Sequence, residues 1–287
     1  MAMPQICFIN LDRARERRAL MEVQADTHGI ALTRFAACEA EAIDEPAFRQ
    51  LSTLWERPMT RPELAAFLSH RSLWEKAAQT PEGVIVLEDD TVFAAHFAEA
   101  AEAAAASGYD LVNLESFGRR KFFRKKRVET IGRLKLAAVL RDKAGAGAYF
   151  ISQRGARLLL GRSQSHTAPA DAFMFGVCKL RAAQIEPAAT MQVHLLQARG
   201  LDVGMSTATS IQLPRKRLPI TTGRLGYGGR RLATQVRLGM VQLRRLADAE
   251  FRPATFDEEA FRAVLPISRD ALEAKLASYG VDVHKAS

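Results

Sequence analysis

The chain is poor in the features that mark disulfide-stapled or membrane-spanning proteins. It has three cysteines, Cys7, Cys38 and Cys178, odd in number and widely spaced. Neither a disulfide framework nor a metal-ligand spacing follows, and a reducing compartment is expected. No stretch approaches the roughly 18–20 apolar residues needed to cross a bilayer. The opening Met1-Ala2-Met3-Pro4-Gln5 leads straight into Ile6-Cys7-Phe8-Ile9. It lacks the basic start and long apolar core of a secretory signal, which predicts a cytoplasmic protein, free or peripheral on the inner membrane face. Internal repeats and low-complexity linkers are absent. Acidic residues are missing altogether from Val203 to Leu246, a stretch that holds nine arginines and lysines.

What is present is ordinary globular material in an unusually basic balance. The 287 residues are 48% hydrophobic and 25% charged, with a net charge of +9. That length suits one large α/β domain or two small ones. The positive excess has two centres, residues 119–127 (Arg-Arg-Lys-Phe-Phe-Arg-Lys-Lys-Arg) and the acid-free zone. Either attracts an anionic surface such as acidic lipid, nucleic acid or a phosphorylated glycolipid. The plainer alternatives are a solvated loop for the first and an arginine-decorated helix, over about 230–247, for the second.

The most informative stretch is Val84-Ile85-Val86-Leu87-Glu88-Asp89-Asp90. Four aliphatic residues in a row suit a strand buried on both faces. Alternation along a strand places Glu88 and Asp90 on one side and Asp89 on the other. Carboxylates at the C-terminal end of such a strand sit where open α/β sheets bind ligands. A hard divalent cation, shared with substrate phosphates, is the natural guest. The alternative is a solvated acidic strand end.

Around this stretch, strands alternate with helices. Ile6–Leu11 and Ala31–Ala37 read as strands, joined by a helix over about 13–28 that Asp12 is placed to cap and Gly29 to end. Residues 38–60 read as irregular. Thr60-Arg61-Pro62-Glu63 is a capping box opening a helix to about Ala78. Further helices are expected at about 95–106, 153–161 and 170–183. Strands are expected at 110–114 and 146–152, with a weaker one at 185–193. Two short helices are expected between about 256 and 280. The alternation predicts an α/β, doubly wound, mostly parallel sheet with a helical, basic C-terminal extension.

Several segments together resemble glycosyltransferase family 25, the lipooligosaccharide galactosyltransferases and their relatives. They are Ile9-Asn10-Leu11-Asp12 with Arg17, Glu63-Leu64-Ala65-Ala66-Phe67-Leu68-Ser69-His70 with Trp74, and Val86–Asp90. Gly147-Ala148-Tyr149-Phe150-Ile151-Ser152 with Gly155-Ala156, Ala170-Asp171, and Pro187 with Gln192 complete the set. The resemblance covers about residues 5–212, which sets a domain over 1–212 and a basic, mostly helical region over 213–287. Ala170-Asp171 departs from the family's more usual Val-Asp, and Phe173–Arg181 matches poorly.

The resemblance implies a GT-A-like fold and a divalent metal, Mn²⁺ or Mg²⁺. It implies transfer with inversion, typically of galactose from a UDP-sugar donor to a saccharide or glycolipid acceptor. Glu88 and Asp90 are then the metal residues. Asn10, Asp12, Arg17, Ser69, His70, Asp89, Gly147, Tyr149 and Gln192 are the donor-site candidates. Asp171 is the candidate general base, since its apolar setting raises a carboxyl's pKa; a helix N-cap is the alternative there. His70 can instead serve the core, Tyr149 can be a core tyrosine, and Arg17 a solvated helix arginine. His194 is a lesser metal candidate. A basic nucleic-acid-binding protein and an inactive scaffold are the rival functions.

Overall fold

The computed structural model describes residues 3–142, 145–205, 236 and 248–280. Eleven strands and nine α-helices can be placed among them, besides a short 3-10 turn at Ala40–Ala42 and a π-helical turn at Phe173–Val177. The chain begins with β1 (Gln5–Asn10), α1 (Arg15–His28) and β2 (Leu32–Ala36). Next come α2 (Glu45–Leu51), α3 (Arg61–Ala77), β3 (Val84–Glu88), β4 (Thr91–Phe93) and α4 (Phe97–Ala106). Then β5 (Leu111–Asn113), β6 (Arg120–Ile131), β7 (Leu134–Arg141), β8 (Ala148–Ile151) and α5 (Gln153–Ser163) follow. After α6 (Ala170–Ala172) come β9 (Ala182–Glu186), β10 (Thr190–Gln192) and α7 (Val193–Gln197). The described chain ends with β11 (Ala249–Pro253), α8 (Glu258–Arg262) and α9 (Arg269–Ser278).

Nine strands form one sheet in the order β11-β6-β7-β9-β5-β8-β3-β1-β2, and β10 and β4 pair as a separate ribbon. In the large sheet β1, β2, β3, β5, β6 and β9 run one way, and β7, β8 and β11 run the other. The α/β class and the predominance of one strand direction follow the sequence reading. The core shows why the aliphatic runs form strands. Ile6, Phe8, Ile85, Leu87, Val112, Ala148 and Phe150 pack on one face against α4. Cys7, Val84, Val86, Leu111, Tyr149 and Ile151 pack on the other against α3 and α5. Neighbouring residues of one strand thus feed two separate cores, the doubly wound pattern. Val84 to Leu87 are all 0% exposed, each contributing roughly 1.5–3 kcal/mol by burial.

This topology gathers one functional edge. Strands β1, β3 and β5 all finish there, at Asn10, Glu88 and Asn113. Strand β8 is antiparallel to both β3 and β5, so its start, after Gly147, arrives at the same edge. Helix α3 is set by its capping box: Thr60 Oγ1 accepts from the Glu63 N–H, and Glu63 accepts from the Thr60 N–H.

Several local expectations are corrected. Asp12 does not cap α1: the cap position is Ala14, without a side-chain bond, and Asp12 pairs with Arg34 instead. Residues 38–60 are not wholly irregular. Asp44 caps α2 by accepting from the Ala47 N–H, a signal of N-cap Asp with Pro at the helix start. The basic segment 119–127 is not a loop: from Arg120 on it is the first part of β6, which pairs with β7 on one side and β11 on the other. The helix from Ala170 ends at Val177, not 183. The stretch 185–193 divides into the end of β9 and all of β10. The junction at 212/213 and most of the 230–247 helix expectation lie outside the described residues. Within the C-terminal region, β11 extends the sheet edge, and α9 packs on α1 through Tyr279–Glu22 and Lys275–Asp26 contacts.

Candidate active site

Glu88 is the last residue of β3, and Asp89 and Asp90 form the turn into β4. Strand alternation therefore governs Glu88 and stops there. Glu88 faces the α3 side, where His70 Nε2 lies 3.4 Å from its Oε1 and Gln192 Nε2 donates to its Oε2 at 3.2 Å. Asp89 turns toward α1. Asn10 Nδ2 donates to its Oδ2 at 2.7 Å, and Arg17 Nη1 to its Oδ1 at 3.1 Å. Asp90 is 7% exposed, and its Oδ1 has no partner among the described residues.

A fourth carboxylate completes the cluster. Glu115 follows β5 and is 2% exposed. Its Oε2 accepts from the Gly147 N–H at 3.1 Å, while its Oε1 has no partner among the described residues. Gly147 makes this packing possible: a Cβ there would sit 2.7 Å from Glu115 Oε1 and 2.8 Å from Gln192 Nε2. The Gly147 carbonyl in turn accepts from the Glu88 N–H and the Thr91 hydroxyl. Sequence reasoning missed Glu115, whose signal emerges only once β5 is known to run parallel to β3. Asn113-Leu114-Glu115 ends an apolar strand as Val86-Leu87-Glu88 does, and the two strands point the same way.

Crowding and burial raise the affinity of these acids for protons. Asp90 is pushed up to about 7, chiefly by burial and then by the charges of Glu88 and Asp89. Glu115 is raised well above the usual range by burial, with the Glu88 and Asp90 charges adding to it. Asp89 is raised by burial against the opposing pull of Arg17 and Asn10. The two buried carboxylate oxygens without partners among the described residues become acceptors once these acids ionise, and a cation beside them would offset the burial and crowding that now favour the proton. Among the described residues no group of three or more His, Cys, Asp or Glu side chains is placed to hold a metal ion by itself. An ion held here would take most of its ligands from water or substrate phosphates, as hard divalent cations can.

The other predicted residues fall into distinct places. Asn10 is buried and fully engaged, donating to Asp89 and to the Ala14 carbonyl and accepting from Arg34 Nε. Asp12 lies outside the cluster, exposed beside Arg34. Ser69 accepts from the Cys38 N–H and donates to the Ala65 carbonyl, so it holds α3 to the chain after β2 rather than facing the carboxylates. Tyr149 is 0% exposed, which leaves it no face on which a sugar could stack. Its hydroxyl meets only His70 and Trp74 among the described residues. His194 follows Val193, whose N–H donates to the Asp90 carbonyl at 2.9 Å; its ring stands edge-on to Phe117, and its buried Nδ1 has no partner among the described residues.

Asp171 stands at the first turn of α6, whose cap position is Pro169, so it is not the N-cap. Its Oδ1 accepts from the Ala172 N–H at 2.7 Å. Burial raises its pKa and the Glu88 charge adds to this, while the Ala172 N–H bond and the Arg119 charge oppose it. Arg119 stacks over Phe117, 4.9 Å from the ring centre. The edge thus joins a carboxylate cluster, a half-buried acid of raised pKa and an arginine.

A family model described as glycosyltransferase family 25 (LPS biosynthesis protein) matches residues 3–174. Among curated proteins, a glycosyltransferase 25 family member from Aedes aegypti is 31% identical over 175 residues, 56% of this chain and 28% of that protein. One from Drosophila melanogaster is 29% identical over 192 residues, 61% of this chain and 30% of that protein. The chain thus matches less than a third of the length of these relatives. The matched span holds β1, the α3 helix, the acidic turn, Glu115, Gly147 and Asp171. With well over half of its residues under the family model, the chain belongs to glycosyltransferase family 25.

Proposed function

We propose that the protein is a metal-dependent glycosyltransferase. It moves a hexose, galactose by family likeness, from a UDP-sugar to a saccharide acceptor of a lipopolysaccharide, lipooligosaccharide or related surface glycan, with inversion. The observation that supports this most is the pair of buried, unpartnered carboxylate oxygens on Asp90 and Glu115 beside Glu88. Glu88 and Asp90 would hold Mn²⁺ or Mg²⁺. Bound there, the ion supplies Lewis-acid neutralisation of the charge that develops on the departing diphosphate.

The chain's own residues account for the rest. Asp89, held by Asn10 and Arg17, fixes the wall between α1 and the acidic turn on which the nucleotide rests. Gly147 keeps that floor free of side-chain bulk. Asp171 takes the proton from the acceptor hydroxyl as its oxygen bonds to the anomeric carbon and the bond to the phosphate oxygen breaks. Its raised pKa suits a general base near neutral pH.

Thermal unfolding with UDP and Mn²⁺, each alone and together, tests the reading. Stabilisation that needs both is expected, because a ligand stabilises by binding the folded state. Asp90→Asn should abolish it. Asp171→Asn should leave it in place while lowering turnover about 10²–10⁴-fold, the usual worth of a general base. No response to any nucleotide, together with tight salt-sensitive DNA binding, would instead identify a nucleic-acid-binding protein. Normal turnover by Asp171→Asn would remove Asp171 from its role.

A further inference from the structure

Behind Glu88 lies a buried line of three ring side chains whose hydrogens are placed by counting donors. Trp74 and Tyr149 are 0% exposed and His70 is 2% exposed. Trp74 Nε1 is 2.8 Å from Tyr149 Oη, and Tyr149 Oη is 2.9 Å from His70 Nδ1. The indole N–H can only donate, so Tyr149 Oη accepts from it. The phenol hydrogen then needs an acceptor of its own, because a buried O–H left unpaired is costly. Among the described residues only His70 Nδ1 is in reach. Nδ1 therefore accepts and carries no hydrogen, and the ring proton sits on Nε2. That nitrogen faces Glu88 Oε1 at 3.4 Å.

The line has little freedom to rearrange. His70 and Trp74 stand four residues apart on α3, on one face of the helix. The His70 and Tyr149 rings stack with centroids 5.8 Å apart, and Phe173 stacks on Trp74 at 5.5 Å. Phe67 meets both Trp74 and Phe173 edge-on. Glu88, by contrast, has a side chain 35% exposed and is not pinned by packing. Gln192 holds its Oε2 from one side, and the His70 N–H is the donor available for its Oε1. The 3.4 Å separation exceeds an ordinary N–H···O bond, and a small movement of the carboxylate closes it.

We infer that Trp74, Tyr149 and His70 form a positioning relay that locks His70 in its Nε2–H tautomer and so aims the Glu88 carboxylate at the cation and donor diphosphate. The inference rests on the donor-site reading above. It gives Tyr149 and Trp74 a part in a site they never touch. It also separates them from residues that merely fill the core, since the hydrogen direction, and not only the volume, is what they supply.

Two-bond nitrogen–proton correlation spectra of histidine-labelled protein read the tautomer directly, with the His70 signal identified by its loss in His70→Gln. The Nε2–H form is expected in the wild type. Finding Nδ1–H, or both nitrogens protonated, would overturn the relay without any variant having to fold. Trp74→Phe removes the donor that sets the direction, and Tyr149→Phe removes the link; both should give a mixed or reversed tautomer. Tyr149→Phe should also weaken Mn²⁺-dependent UDP binding at least about 10-fold, as loss of groups that orient metal ligands does. In the double variant Tyr149→Phe, His70→Gln, the glutamine amide supplies an N–H donor whatever the tautomer, and part of that loss should be recovered. Wild-type binding that Tyr149→Phe leaves unchanged would sink the relay alone. Absence of Mn²⁺-dependent UDP binding in the wild type would sink the donor-site reading, and the relay's purpose with it.

Discussion

Glu115 and Gly147 meet where there is no room for a methyl group. Gly147→Ala must push aside the ends of Glu115 and Gln192, both buried, at a cost of about 1–3 kcal/mol for overpacking. Urea unfolding should show that loss, and calorimetry should show weaker Mn²⁺-dependent UDP binding, because Gln192 also holds Glu88. Asp90 gives a prediction in pH. Its folded pKa is pushed from 3.8 up to about 7. A raised carboxyl keeps its proton longer when folded, so the stability it lends at low pH is lost as pH rises through about 7. Asparagine has no such proton to lose. Metal-free Asp90→Asn should therefore gain on the wild type by roughly 3 kcal/mol between pH 5 and pH 8, measured by urea unfolding. Parallel pH profiles would show Asp90 to be solvated. At this scale the acidic triplet was legible because three charges interrupt an apolar run. Glu115 was not, because a single acid after Leu114 looks like any strand end until its direction beside β3 is known. Tyr149 stood open between a ligand contact and a core tyrosine for a related reason, since composition cannot tell a tyrosine at a ligand from one whose hydroxyl serves two buried neighbours, and its 0% exposure favours the core.

Among the elements, the strands β1, β3, β5 and β8 and the helix α3 were legible, and the hairpin β6–β7 was not, although β7 carries the run Leu134-Lys135-Leu136-Ala137-Ala138-Val139. β1, β3, β5 and β8 show aliphatic runs, and α3 its capping box. β6 hides its identity because one of its inward residues is Lys121, 5% exposed, paired with Asp142 and donating to Gln184 Oε1. Polarity rules send such a lysine to solvent, so 119–127 reads as a loop. Its register against β7 is broken between Phe123 and Val128, and the clustered like charges of Arg124, Lys125, Lys126 and Arg127 fill that irregular stretch. Lys121→Met keeps most of the apolar stem but leaves Asp142 without its ammonium. Breaking a buried pair from one side costs about 3–5 kcal/mol. Urea unfolding should show a loss of that order, and a loss below about 1 kcal/mol would mean that the pair is solvated. The same residue ties the hairpin to the site, since Gln184 also donates to the carbonyls of Asn113 and Glu115.

Over the whole molecule, charge is divided by position. The functional edge concentrates buried acids, while the chain as a whole carries +9. Among the described residues, Lys125, Lys126 and Arg127 stand exposed on β6 near the far edge of the sheet, with only β11 beyond them. No described helix is long and apolar enough to cross a membrane, and the exposed basic strand offers a surface for an anionic bilayer. An acceptor carried on a glycolipid would make such a hold useful, since it keeps the enzyme where its acceptor is. Each basic residue near an anionic surface is worth about 1 kcal/mol. The triple variant Lys125→Ala, Lys126→Ala, Arg127→Ala should then bind phosphatidylserine vesicles about 100-fold more weakly than the wild type in a sedimentation assay at physiological salt. Wild-type binding should itself fall steeply as salt is raised, because a Debye length of about 8 Å screens such contacts. Turnover on a soluble saccharide acceptor should be unchanged in the triple variant, since none of the three residues contacts the carboxylate cluster. Vesicle binding that is absent, or indifferent to both salt and these substitutions, would detach the basic strand from any membrane role and leave its charge to act on the acceptor.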